Sequence, residues 1–154
     1  EVRQPFTAYH LSAYQNQDDQ TLAAFEGNLN LMAVHTPPGS MATQDTLVPG
    51  QALALLTVWQ AAASPHPPLK VFVHVVDKHG NLCAQHDGLD SPSRFWHPGD
   101  VIIQAHAVVL PEDLPAGNYE LRVGVYNSET LQPYPLRDGR PFFDAGWLKV
   151  QHGS

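Results

Sequence analysis

Four side chains between positions 74 and 87 carry the chemistry this sequence offers most openly: His74, Asp77, His86 and Asp87. His74 and Asp77 flank one arm of an expected hairpin while His86 and Asp87 end the other, so pairing across a tight turn would bring imidazoles and carboxylates within ligand distance. The nine histidines of the chain raise the same question. No spacing answers it with a metal. There is no HExxH, no paired CxxC and no DxDxDG loop, and a site needs three or four converging ligands. No metal and no cofactor is expected. In a second reading of the segment, His74 is half-buried and bonded to Gln85 or Asp87 in a structural polar network. Nucleophilic catalysis lacks its signature too, because no GxSxG elbow exists and Ser64, Ser91, Ser93 and Ser128 fall in loops. Carboxylates for glycosidic cleavage are numerous, yet nothing selects one pair, so no catalytic residue is assigned.

Aromatic side chains offer a different chemistry. Phe95, Trp96, Tyr126, Tyr134 and Trp147 would supply flat apolar faces for the C–H side of a sugar, with Asp, Asn, Gln and Arg bonding its hydroxyls. Arg94, Phe95 and Trp96 lie together in an irregular stretch, residues 88–99, which reads either as a recognition loop or as a plug sealing one end of the fold. Trp59 falls among inward positions and Trp147 begins the closing strand, so both are expected to pack in the core. The candidate ligand-binding residues are Asp87, Arg94, Trp96, His74 and Gln85.

The elements that would position them are strands. In PAGNYELRVGVYN, residues 115–127, Tyr119, Leu121, Val123 and Val125 alternate with Asn118, Glu120, Arg122 and Gly124, the period of a half-buried strand. Its Gly117-Asn118-Tyr119 entry suggests a tyrosine corner, in which the hydroxyl returns to nearby backbone. Leu53, Leu55, Thr57 and Trp59 alternate with Ala52, Ala54, Leu56 and Val58 in a central strand expected to be partly covered on both sides. Residues 69–76 and 82–86 flank the turn Asp77-Lys78-His79-Gly80-Asn81, a hairpin whose Gly and Asn are able to take positive φ. A first strand is expected in residues 22–34, interrupted at Gly27-Asn28 and ended by Pro37-Pro38-Gly39. Residues 101–110 alternate again, residues 128–143 form a long loop, and 147–150 close the sheet. Residues 1–20 are polar and unpatterned and read as a lead-in or linker, leaving 21–154 as one domain. The expected fold is all-β: an Ig-like or jelly-roll-like antiparallel sandwich of seven or eight strands.

Bulk properties narrow the function. The 154 residues are long enough for one domain with its own core. A net charge of −7 with scattered Lys and Arg argues against a nucleic-acid partner. One cysteine, Cys83, excludes an intrachain disulfide. No apolar run approaches the roughly 20 residues that span a bilayer, and an opening at Glu1 without a signal peptide is what an excised domain would show. Fourteen prolines and eleven glycines between short apolar runs favour strands over helices.

Four phrases in order carry a family likeness: PGQALALLTVWQA (49–61), LKVFVHVVDKHGNLCAQHDG (69–88), SRFWHPGDVI (93–102) and LPAGNYELRVGVYNSET (114–130). Together they resemble the soluble β-sandwich that follows the membrane-spanning part of bacterial integral-membrane glycosyltransferases similar to the protein O-mannosyltransferase and aminoarabinose transferase group. The matching positions are Trp59, His74, Gln85, Asp87, Gly88, Arg94, Trp96, Pro98 and Gly99, whereas Cys83 and the Ala-rich stretch 52–54 depart from the pattern. The resemblance implies a non-catalytic accessory domain at the extracytoplasmic face of the cell membrane, partnered by the membrane part of its parent chain and by a glycan or acceptor. The catalytic acids of such enzymes lie in the membrane part, so none carries over to this chain. Two other classes are kept open: a free-standing hydrolase or metal-dependent enzyme on a sandwich scaffold, and an adhesion or assembly module of a surface protein.

Overall fold

A computed structural model describes residues 21–35, 46–63 and 67–152. The expected lead-in 1–20 and the Pro37-Pro38-Gly39 stop lie outside the described residues. Among the described residues there are ten strands: β1 (Ala23–Phe25), β2 (Leu29–His35), β3 (Thr46–Leu47), β4 (Ala52–Ala61), β5 (Leu69–Val76), β6 (Leu82–Gly88), β7 (Val101–Val109), β8 (Gly117–Asn127), β9 (Pro133–Tyr134) and β10 (Phe143–Val150). Among the described residues the helical structure is one 3-10 turn, Ser93–Phe95. The strands form two sheets, β1-β2-β4-β7 and β3-β10-β8-β5-β6, with β9 attached to β8. All pairings are antiparallel except that of β10 with the two-residue β3.

Seven strands have seven residues or more, which agrees with the expected count; the excess comes from two- and three-residue strands. One of these corrects the reading of residues 22–34 as a single strand. Gly27 and Asn28 both take positive φ, 86° and 61°, and this turns the run into a tight β1–β2 hairpin. Over the seven long strands the order is β2-β4-β7 against β10-β8-β5-β6. The sixth of them, β8, carries the tyrosine corner, as strand F does in Ig-like sandwiches. Tyr119 is buried, and its hydroxyl donates to the Pro115 carbonyl at 2.6 Å. The fold is therefore the Ig-like form of the two sandwiches anticipated.

Between the sheets, Phe25, Leu29, Leu31, Leu53, Leu55 and Trp59 from one layer meet Val71, Val73, Val75, Leu121, Val123 and Val125 from the other. Burying such side chains contributes roughly 1.5–3 kcal/mol each, the main force holding the layers together. Trp59 is fully buried, with its ring 5.5 Å from that of Phe25. On β7 the inward set is Ile102, Gln104, His106 and Val108, so two polar side chains face the core while Val109 lies in water. They are satisfied locally. Gln104 bonds Asp90 and the Ala105 carbonyl. His106 joins a chain running from the Trp59 indole through Thr57 to His86.

The hairpin turn forms as its residues suggest, although of Gly80 and Asn81 only Gly80 takes positive φ. Asp77 Oδ1 accepts from the His79 and Asn81 amides at 2.8 and 2.9 Å. That arrangement fixes the β5–β6 register in which His74 opposes Gln85 and Phe72 opposes Asp87.

Candidate functional site

The outer face of the larger sheet carries a groove of about 430 Å³, and its floor follows from strand registry. Phe72 and His74 on β5 share a face with Gln85 and Asp87 on β6 and with Arg122, Gly124 and Tyr126 on β8. Residues 131–142 supply the opposite wall through Leu131, Pro133, Pro141 and Phe142.

A glycine sets the height of the floor. Phe72 pairs with Gly124, and a Cβ at Gly124 would fall well inside van der Waals contact with three atoms of the Phe72 ring. With no side chain there, the Phe72 ring fills the space above Gly124 and is only 9% exposed. His74 stacks on it at 4.2 Å between ring centroids, and Tyr126 sits 6.3 Å away on the other side. The three rings form a continuous aromatic strip.

Polar groups edge that strip. The Tyr126 hydroxyl donates to Asp87 Oδ2 at 3.2 Å, and His74 Nε2 lies 3.7 Å from Asp87 Oδ1, beyond hydrogen-bond length. Burial pushes the His74 pKa below its ordinary value; the Asp87 carboxylate opposes this and Arg122 assists it. At neutral pH the imidazole is therefore uncharged, able to donate from one nitrogen and accept at the other. Burial also raises the Tyr126 pKa, with the Asp87 charge adding to it, so the phenol keeps its proton. Gln85 is exposed, and its amide makes no side-chain hydrogen bond among the described residues. Beside them Arg122 bonds Glu120 at 3.2 Å, and its guanidinium lies 4.1 Å from the centre of the Phe142 ring. That ring contact stands where Arg122 Nε, buried, has no hydrogen-bond partner.

Of the five residues singled out in the sequence, the fold brings together His74, Gln85 and Asp87. It separates the other two. Arg94 lies in a second cleft, about 320 Å³, with Lys70, Leu89, Ser93 and Glu129, its guanidinium 4.7 Å from the centre of the Phe95 ring. Trp96 is a correction: it is 4% exposed and part of the core, its indole donating to the Ser91 carbonyl at 3.1 Å, so it plugs the end of the sandwich instead of meeting a ligand. Trp147, expected in the core, is 63% exposed, because a bulge in β10 turns it outward. Tyr134 belongs elsewhere as well, its ring against Gly27 and its hydroxyl accepting from Asn127. Phe72, Arg122 and Phe142 were not anticipated. The first two were within reach, because Phe72 shares the parity of His74 and Arg122 pairs with His74 once β5 and β8 are neighbours.

Among the described residues the groove lining has no serine, threonine, cysteine or lysine and a single carboxylate, Asp87. Glycosidic cleavage in its usual form takes two carboxyl groups flanking the bond. Among the described residues no cluster of three or more His, Cys, Asp or Glu is placed to hold a metal ion. The arrangement suits recognition: a rigid apolar floor with hydrogen-bonding groups along one side.

No family model and no curated protein sequence matches the chain. Solved structures do. The crystal structure of the C-terminal domain of Wzt superposes with a TM-score of 0.61 at 14% identity, covering 88% of this chain and 81% of that one. A Niemann-Pick type C2 protein from Japanese carpenter ant matches at 0.44 and 9% identity, over 86% of this chain and 96% of that one. The CARDB domain of a Pyrococcus furiosus protein in complex with di-metal ions matches at 0.45 and 13%, over 90% and 98%. The likeness to the Wzt domain concerns the fold, and this chain is a β-sandwich domain of that general architecture.

Proposed function

We propose that this domain binds a glycan, or a glycan-bearing acceptor, in the outer-face groove and performs no chemistry on it. The observation that carries the reading is the strip of Phe72, His74 and Tyr126 rings lying beside the Asp87 carboxylate and the open Gln85 amide. A sugar ring presents an apolar C–H face and a rim of hydroxyls, and this groove presents the complement of both. Paired strands hold the floor, so little ordering cost falls on binding. Together with the resemblance of residues 49–130, these features support an accessory domain of a membrane glycosyltransferase, held outside the cytoplasmic membrane, that presents glycan or acceptor to the membrane part.

The test is a glycan array followed by calorimetric titration of the purified chain. Binding is expected, with Asp87→Ala and Tyr126→Phe each weakening it about tenfold, the scale of one hydrogen bond to a charged group. Absence of binding across the array overturns the reading, as does turnover of aryl glycosides by the same preparation. A parent reading frame with a series of apolar spans of about 20 residues upstream supports the transferase context.

A further inference from the structure

Trp147 faces outward because of one extra residue. β10 pairs Phe143 with Val123 and Asp144 with Arg122, then resumes with Trp147 opposite Glu120 and Leu148 opposite Tyr119. Three steps on β10 thus match two on β8. Unbulged, the strand would set Trp147 against Tyr119, whose side chain is in the core. With the bulge, Leu148 takes the inward place and the indole turns to the outer face. The bulge is well made: Gly146 adopts φ 109°, and its amide donates to Asp144 Oδ1 at 3.1 Å. The result is a tryptophan 63% exposed on a paired strand, in a chain whose other two, Trp59 and Trp96, are 0% and 4% exposed.

That outer face is the one bearing the groove. Trp147 pairs with Glu120, and Arg122, one outward position further along β8, pairs with His74 on β5. Two strand spacings and one two-residue step place Trp147 and His74 about 12 Å apart along the sheet. The Glu120–Arg122 ion pair lies between them.

We infer that Trp147 is a second stacking platform of this binding face and that the ligand is an oligosaccharide, one ring lying over the His74 and Tyr126 rings that Phe72 underlies and a later ring over Trp147. The inference rests on the glycan reading above. It adds that recognition depends on chain length, with the Glu120–Arg122 pair facing the hydroxyls of the intervening unit.

The experiment titrates the purified chain with gluco-, manno- and N-acetylglucosamine oligosaccharides of one to six rings. Affinity is expected to rise about tenfold at the length that first reaches Trp147. Trp147→Ala should remove that increment while leaving shorter ligands unaffected, and Trp147→Phe should restore most of it. Because Trp147 is the exposed one of three tryptophans, long ligands should also blue-shift the emission and short ones should not. Equal loss at every length, or no loss at any, overturns the assignment of Trp147 while the groove itself stands. Failure of every oligosaccharide to bind the unmodified chain overturns both. Circular dichroism of each variant separates a lost contact from a lost fold.

Discussion

His86 on β6 and His106 on β7 meet Nδ1 to Nδ1 at 2.9 Å, joining the edge strands of two different sheets. The Trp59 indole donates to Thr57 Oγ1, Thr57 Oγ1 lies 2.8 Å from His106 Nε2, and both ring nitrogens of His106 are thereby engaged, one by the hydroxyl and one by His86. A second proton on His106 would put a charge on a buried ring beside a second imidazole.

Acid should therefore loosen the sandwich. Burial, aided by His86, pushes the His106 pKa down to about 4. Between the unfolded value near 6.5 and that figure, the unfolded chain binds a proton the folded chain refuses, so stability present above pH 6.5 is lost as pH falls toward 4, by at most about 3 kcal/mol. His74, also lowered by burial, acts in the same direction. Urea unfolding at pH 8, 6 and 4.5 measures the slope. His106→Gln, which keeps a donor and an acceptor but cannot titrate, should flatten it, and an unchanged slope in that variant would refute the account.

Trp96 and Arg94, two residues apart, should respond oppositely to truncation. Trp96→Ala removes a core side chain and is expected to cost about 3–5 kcal/mol in denaturant unfolding. Arg94→Ala, at a cleft on the surface, should stay within about 0.5 kcal/mol of the parent. Comparable losses in both would mean that residues 93–96 do not plug the sandwich as described.

Gly124→Ala should damage floor and fold together. The added methyl displaces the Phe72 ring, for an overpacking cost of about 1–3 kcal/mol and a measurable loss of the binding proposed for the groove. In Phe72→Ala the same glycine substitution should cost less, since the ring it strikes is gone. A double-mutant cycle reads the coupling, and zero coupling would disprove the contact.

Tyr119→Phe tests the corner alone. Losing the bond to the Pro115 carbonyl should lower stability by about 1 kcal/mol with ligand affinity unchanged, because Tyr119 points into the core and away from the groove.

How far the sequence speaks depends on whether a feature is local. The alternation of β4 and β8, the tyrosine corner and the Asp77 turn are all set by neighbours within a few residues, and each could be read directly. So could the likelihood that His74, Gln85 and Asp87 converge, since one hairpin contains them all. Trp147 could not, because period-2 counting fails once a bulge inserts a residue, and only the pairing with β8 reveals the insertion. Which side of β7 faces inward was hidden for another reason: Val101, Ile103 and Val109 are as apolar as the true inward set, and His106 becomes acceptable inside only when Thr57 and His86 arrive from distant strands. The wall of the groove, far along the chain from the β5–β6 part of its floor, had no local signature at all.

That wall has another duty. Between Pro133 and Phe142 the chain crosses to the smaller sheet, where the Glu26 amide donates to the Pro135 carbonyl, the Arg137 amide donates to the Ala24 carbonyl, and Leu136 bridges Phe25. Those contacts occupy the free margin of β1, which would otherwise offer unpaired amides to a neighbouring molecule. Substitutions that reshape this segment therefore bare an adhesive border, so variants in it should be screened for self-association.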